Sequence, residues 1–355
     1  LLYQMREINF ISSEKFNLHE YDEIIDVRSP SEFHEDHLPN AINLPVLSNV
    51  EREHIGTIYK QESPFTAKRK GAELVSFNIS KHLKNYFSNK EKDYSPLVYC
   101  WRGGQRSKSL SIILNSIGWK PTILEGGYKS YRKHIINSLD KILSTGFNLK
   151  IISGLTGSGK TKLLKQLSLA GAQVIDLEGL AKHKGSALGD EVNSAQPSQK
   201  MFERNIYELL QSFNAGIPIF LESESSRIGN LQVPAKLWNL MKISSLIEIQ
   251  ITHDKRIELL INEYQHLIND PKLLLSKLEK IKHLKPDSVF ENWINLINQR
   301  NVPSFVDAIL KDHYDQAYLN SRGNTYLNDP EDSYSLDDIS DKSYGYLAKR
   351  ILSNT

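Results

Sequence analysis

Cysteine is almost missing from this sequence: Cys100 stands alone among 355 residues. An internal disulfide is therefore excluded, and so is a zinc site built on several thiolates. A reducing, cytoplasmic setting is the expectation that follows. Also missing is any apolar run near the ~20 residues that a membrane-crossing helix needs, so no membrane partner is expected. Leu1 to Phe10 lack a basic start followed by an apolar stretch, which argues against a secretory signal. The chain opens on Leu1 rather than Met, and its natural start is expected upstream. An excess of one charge is missing as well. The formal net charge of +2 argues against a tail that coats nucleic acid through bulk electrostatics, although local clusters can still form a face for RNA. Three clusters occur: Lys68, Arg69 and Lys70; Lys129, Arg132 and Lys133; and Lys277, Lys280, Lys282 and Lys285. Solvated surface is the first expectation for each. No internal repeat is present.

What the chain does have is an alternation of strand and helix patterns. Short apolar runs at Glu23 to Val27, Leu97 to Cys100 and Thr122 to Leu124 alternate with helical spacing, as in Leu110, Ile113, Leu114 and Ile117. This predicts a mainly parallel α/β sheet. Tyr128 to Leu143 reads as a helix broken at Ser144-Thr145-Gly146, where a second α/β unit begins. Strands are predicted at Leu149 to Ser153, Gln173 to Leu177, Pro218 to Glu222 and Leu246 to Thr252. The expected organisation is a domain over 1–145, an α/β core over 146–253, and a helical extension with a polar tail over 254–355. The last 40 residues, rich in Tyr, Asp and Ser, are expected to be partly disordered.

Cys100 closes an apolar strand and is followed by Trp101-Arg102-Gly103-Gly104-Gln105-Arg106, with a helix opening at about Arg106-Ser107. Backbone N–H groups in such a loop, and the N-terminus of the helix after it, favour a negative group. With Arg102 and Arg106 nearby, the expectation is a thiolate nucleophile, a persulfide or perselenide, or a bound oxyanion. The competing reading is a structural cysteine beside a tight turn.

Gly154-Leu155-Thr156-Gly157-Ser158-Gly159-Lys160-Thr161 matches G-x-x-x-x-G-K-[ST] in full, with an apolar strand before it and a helix after it. The glycines let several N–H groups face one phosphate, Lys160 brings positive charge, and the Thr161 hydroxyl is placed to ligate Mg²⁺. A di- or triphosphate site follows; ATP does not. No Asn-Lys-x-Asp motif for reading guanine is present. Asp176, Glu178 and His183 follow the second strand of this unit, and Glu222, Glu224 and Arg227 follow the third. All fall at the sheet edge where α/β proteins bind ligands, so they are candidates to surround a diphosphate, its metal and a second substrate. A polar rim without chemistry is the alternative for any one of them.

Asp26-Val27-Arg28, Glu32-Phe33, the run from His37 to Pro45, the Cys100 loop and Leu124-Glu125-Gly126-Gly127-Tyr128 together resemble the rhodanese superfamily. That resemblance implies a transferred chalcogen on Cys100, with Asp26, Arg28, Trp101, Gly103 and Gly104 in supporting places. The sequence departs from single-domain rhodaneses in one way: five residues, rather than the usual four, separate Cys100 from Arg106. The longer loop is similar to that of dual-specificity phosphatases, which keeps a phosphatase reading open. Adding Tyr59-Lys60-Gln61, Gly71-Ala72, the phosphate loop, Asp176 to Ser186 and Glu222 to Gly229, the chain resembles the family of tRNA 2-selenouridine synthases over about residues 7 to 310.

This resemblance implies a rhodanese-like domain followed by a P-loop NTPase-like α/β domain with a helical C-terminal extension. It implies an enzyme that replaces the sulfur of wobble 2-thiouridine in tRNA with selenium from selenophosphate. The route would pass through an S-geranyl intermediate made from geranyl diphosphate, with no tightly bound cofactor. The phosphate loop would then hold the diphosphate, Lys160 would stabilise it as it leaves, and Cys100 would carry or position the selenium. Trp101 would stack on the splayed base or brace the loop. The implied partners are tRNA and a selenophosphate-supplying enzyme. Two other readings are weighed against it: a P-loop kinase fused to a sulfurtransferase acting on a small metabolite, and a nucleotide-responsive adaptor with Cys100 as a redox sensor.

Overall fold

The computed structural model describes residues 7–15, 17–186, 188–190 and 194–354. The first six residues, part of the segment read for a secretory signal, and residue 187 in the loop running to Gly189 lie outside them. The chain divides into two units, Leu1–Leu139 and Asp140–Thr355. The division falls inside a helix, a little before the break at residues 144–146 that marks it in the sequence.

The first unit holds β1 (Asn9–Ile11), β2 (Ile24–Asp26), β3 (Ala41–Asn43), β4 (Leu97–Tyr99) and β5 (Thr122–Leu124) in the order β1-β5-β4-β2-β3. Every pairing is parallel. The central strands β2, β4 and β5 are buried at every residue, which is why they read as continuous apolar runs and not as alternation. The helices are α1 (Pro30–Glu35), α2 (Asn49–Gln61), α3 (Pro64–Asn85), α4 (Gln105–Ile117) and α5 (Gly127–Leu143). Ile25, Val98, Leu110, Leu114 and Ile79 share the core. Asp26 lies opposite Tyr99 in the register, so Val27-Arg28 and Cys100 leave neighbouring strands at one edge of the sheet.

The second unit builds its sheet from β6 (Leu149–Ser153), β7 (Gln173–Ile175), β8 (Ile219–Glu222), β11 (Ser245–Ile251) and β12 (Pro330–Leu336), with β9 (Arg227–Ile228) and β10 (Leu231–Gln232) as a separate antiparallel pair. The order is β12-β11-β6-β8-β7, all parallel. Around it lie α6 (Lys160–Leu169), α7 (Leu177–Ala181), α8 (Gln199–Ser212) and α9 (Ala235–Ile243). A helical group follows: α10 (His253–Glu263), α11 (Gln265–Ile268), α12 (Pro271–Leu278), α13 (Asp287–Asn298), α14 (Val302–Ile309) and α15 (Asp315–Thr325). The last helix is α16 (Asp341–Asn354). The helical group has its own core, centred on Trp293, Phe290, Leu278 and Leu310.

The expectation of a partly disordered tail is corrected here. β12 pairs with β11 along six positions from Leu246↔Pro330 to Ile251↔Leu336. α16 buries Tyr344, Leu347, Ala348 and Ile351 in the core that also holds Leu163, Leu164 and Leu167 of α6. Those four positions have helical spacing, and each large side chain contributes roughly 1.5–3 kcal/mol on burial. The polar composition of the tail hides this stripe. The α/β core therefore does not end near residue 253: its edge strand comes from the far end of the chain.

Candidate functional site

In the first unit, Cys100 is the residue after β4 and is only 3% exposed. Its thiol is not in a purely apolar setting. Sγ accepts hydrogen bonds from the Gly104 N–H at 3.2 Å and the Ser107 hydroxyl at 3.3 Å. The loop is held from behind by the turn after β5: Tyr128 N–H donates to the Cys100 carbonyl at 2.9 Å and Lys129 N–H to the Trp101 carbonyl at 3.0 Å. A Cβ on Gly127, whose φ is +58°, would run into the Cys100 carbonyl. The Gly126-Gly127-Tyr128 motif thus accompanies the cysteine loop because only glycine permits this approach.

The two loop arginines separate. Arg106 makes a two-pronged pair with Glu32 at 2.7 and 3.2 Å, and Arg52 joins the same carboxylate at 2.9 Å. Burial disfavours the charge on Glu32, but Arg106, the Ser29 N–H and Arg52 outweigh it and hold the carboxyl at about 2. Arg106 is therefore already matched, and only Arg102 is exposed. Two full positive charges devoted to the thiol, as expected from the sequence, are not what the loop provides. Asp26 and Arg28 form a buried pair at 2.6 Å. Arg28 also donates to the Asp36 carbonyl at 2.6 Å and lies 4.1 Å from the Tyr128 ring centre. These two residues brace the edge of the sheet. Trp101 packs against Tyr128 with ring centres 5.4 Å apart, the bracing role.

In the second unit the phosphate loop joins β6 to α6. Gly159, with φ +78°, could not carry a side chain, because its Cβ would overlap the Tyr344 hydroxyl. Lys160 Nζ donates to the Gly154 carbonyl at 2.9 Å. The loop is tied down by residues that no motif marks. Tyr344 OH donates to the Ser158 carbonyl at 2.8 Å, Gly154 N–H donates to Tyr318 OH at 2.8 Å, and Arg256 Nε donates to the Thr156 carbonyl at 2.9 Å. Arg256 is itself paired with Asp315.

The loop borders a cavity of about 500 Å³ lined by Lys160, Thr161, Asp176, Glu178, Glu222 and Glu224 together with Lys184, Glu263, Tyr264, Tyr314 and Tyr326. Thr161 Oγ1 donates to Glu222 at 2.9 Å and lies 3.4 Å from Glu178. Oxygens of Glu178, Glu222 and Glu224 lie within 4.8 Å of one another. Burial first, and then mutual repulsion, raise all three carboxyls, Glu178 and Glu224 to about 8. Glu222 Oε1 is buried without a hydrogen-bond partner. Hard oxygen donors, an orphaned carboxylate oxygen and carboxyls held short of ionisation fit a divalent cation such as Mg²⁺. Thr161 and Glu222, with Glu178 and Glu224 beside them, are the residues that would hold it.

Other sequence candidates play structural parts. Asp176 caps α7 by accepting from Gly179 N–H at 2.7 Å while also lining the cavity. His183 is buried and pairs with Asp190 at 3.2 Å, and it does not line the cavity. Arg227 sits in the β9–β10 pair, where its Nε donates to the Gly229 carbonyl at 2.8 Å, also off the cavity wall. Of the third basic cluster, Lys277 is buried and donates to the Asp190 carbonyl at 3.0 Å, and Lys285 donates to the Asp312 carbonyl at 2.5 Å. Neither is a free cation for RNA. The missed lining residues from Lys184 to Tyr326 had no signal of their own, since the segment that carries most of them was read as an extension.

Two parallel α/β units, one with a glycine-turned cysteine loop and one with a phosphate loop facing a carboxylate cluster, define a rhodanese-like domain fused to a P-loop domain. Family models agree on both halves: a rhodanese-like domain matches residues 13–134, and a tRNA 2-selenouridine synthase AAA domain matches residues 147–280. A tRNA 2-selenouridine synthase of Marinobacter nauticus is 31% identical over 327 residues, covering 83% of this chain and 87% of that one. One from Nitrosomonas europaea is 35% identical over 246 residues, 68% of this chain. The chain belongs to the tRNA 2-selenouridine synthase family. Its match spans only 63% of the length of the Nitrosomonas europaea relative. A crystal structure of a rhodanese-related protein from Thermoplasma volcanium is 21% identical over 36% of this chain and 92% of that one, at a TM-score of 0.23, too slight a likeness to bear on the fold. Among the described residues, no helix is long and apolar enough to cross a membrane.

Proposed function

We propose that this protein is a tRNA-modifying enzyme that converts wobble 2-thiouridine to 2-selenouridine, using geranyl diphosphate and selenophosphate, in the cytoplasm. The observation that carries the reading is the presence of two distinct anion-holding loops on one chain of this family, at Cys100 and at Gly154 to Thr161.

In the first step the thiocarbonyl sulfur of the base attacks C1 of geranyl diphosphate. A C–S bond forms, the C–O bond breaks, diphosphate departs with the electron pair, and the N3 proton passes to solvent. The loop N–H groups and Lys160 meet the charge that grows on the leaving oxygen, where fixed dipoles act without reorganising. Lys160 can swing to that oxygen from the Gly154 carbonyl it now contacts. A cation held by Thr161 and Glu222 would add positive charge at the same place.

In the second step selenium of selenophosphate attacks C2 of the base and geranylthiolate leaves, taking a proton from solvent. Water then cleaves the Se–P bond, giving phosphate and 2-selenouridine. No oxidant is needed, since selenium keeps its oxidation state throughout. The Cys100 loop suits the phosphoryl end of this donor, through Gly104 N–H and the helix N-terminus behind it. Arg102, exposed at the loop, adds charge for the donor or for the tRNA backbone. The wobble base must be splayed from its stack to be reached.

The deciding experiment is reconstitution with a 2-thiouridine anticodon stem-loop, geranyl diphosphate, selenophosphate and Mg²⁺, followed by nucleoside mass spectrometry. Geranylthiouridine without selenophosphate and selenouridine with it are expected. Selenouridine formed at full rate without any prenyl donor would remove the intermediate. No modified nucleoside under any condition would remove the function.

A further inference from the structure

A second, smaller cavity adjoins the phosphate pocket. Thr156, Ser186, Leu260, Tyr264 and Tyr314 line both. Beyond that shared wall the lining is apolar and comes from the helical group, chiefly Leu274 of α12 and Phe305, Val306 and Ile309 of α14. These four side chains are all buried. The phosphate loop thus has an apolar chamber beside its anion cradle. A nucleotide base placed there would leave its donors and acceptors unmet, which is costly. A ligand with a diphosphate at one end and hydrocarbon at the other would leave nothing unmet.

We propose that this chamber receives the far end of the prenyl chain, and that Leu274, Val306 and Ile309 set the chain length the enzyme accepts. The proposal rests on the reading of the phosphate loop as a prenyl diphosphate site and adds where the hydrocarbon goes. The cavity measures about 60 Å³. On that measure one water-sized atom occupies roughly 10–15 Å³, so about five carbon-sized atoms fit, one branched five-carbon unit. The first unit of a ten-carbon chain would lie along Leu260, Tyr264 and Tyr314, and the second would fill the chamber. A five-carbon donor leaves the chamber empty, and a fifteen-carbon donor overruns it. The pocket wall therefore selects two isoprene units.

The test is equilibrium binding of the full chain, with Mg²⁺, to inorganic pyrophosphate and to the dimethylallyl, geranyl and farnesyl diphosphates. Geranyl diphosphate should bind on the order of tenfold or more tighter than pyrophosphate or the five-carbon donor, as burial of one further unit implies. Val306→Phe, which fills the chamber, should erase the advantage of ten carbons over five while leaving pyrophosphate affinity unchanged. Ile309→Ala should move the preference toward farnesyl diphosphate. Retained pyrophosphate binding shows that each variant is folded at the loop, and the unmodified protein's chain-length series decides the matter even where a variant is not. Equal affinity for pyrophosphate and all three prenyl donors overturns the chamber but leaves the phosphate site standing. Failure of every diphosphate to bind overturns the prenyl diphosphate reading itself.

Discussion

The Tyr344 hydroxyl donates a 2.8 Å hydrogen bond to the Ser158 carbonyl, so a side chain from the last helix holds the phosphate loop from behind. The pair joins residues 186 positions apart, and it is fully buried on the Tyr344 side. Tyr344→Phe keeps the ring in place and leaves the carbonyl unmatched. A buried acceptor without a partner costs about 1–3 kcal/mol. The variant should unfold at a lower temperature, and its diphosphate affinity should fall by several-fold because the loop is less well held. Calorimetry and pyrophosphate titration check both, and an unchanged melting temperature would deny the buttress.

The Glu32–Arg106 pair predicts an acid limb. The folded state keeps this carboxyl ionised down to about 2, whereas the unfolded chain takes up its proton in the ordinary carboxylate range. The folded form therefore binds fewer protons, and the pair's contribution is present above that range and lost as pH falls toward 2. After allowance for solvent screening the contribution is about 2 kcal/mol. Glu32→Gln should lower stability at pH 7 by that order and flatten the loss between pH 5 and 2. Chemical denaturation across that range gives the slope.

Cys100→Ser should separate the two proposed half-reactions. Gly104 N–H and the Ser107 hydroxyl remain as donors, so the loop should keep its shape. Selenation should fall by roughly a hundredfold or more, the range over which a single catalytic group acts, while geranylation proceeds at its normal rate. Normal selenation by this variant would take Cys100 out of the chemistry.

The carboxylate cluster should respond to metal. With pyrophosphate present, Mg²⁺ at about a hundred times its dissociation constant should stabilise the fold by ~2.7 kcal/mol, and a chelator should reverse the shift. Glu222→Gln should abolish most of this response. It should not destabilise the metal-free protein, because it removes a buried like charge whose ionisation burial already opposes. Thermal shift assays with and without metal distinguish the two effects.

Much of the chemistry was legible in the order of the residues. The cysteine loop and the phosphate loop are local devices. Glycines, a nucleophile or lysine, and a helix start lie within eight or nine positions, and backbone geometry over that span needs no distant partner. The parallel sheets were legible for the same reason, since buried strands are short apolar runs. What the tertiary structure alone decided is everything that depends on distant pairing. It matched Arg106 to Glu32, turned His183 and Arg227 off the cavity, brought Arg256, Tyr318 and Tyr344 under the phosphate loop, and placed β12 beside β11. A polar tail shows no reason to fold when its residues are counted singly. It folds because the exposed edge of β11 and the apolar face of α6 are complete only when β12 and α16 cover them.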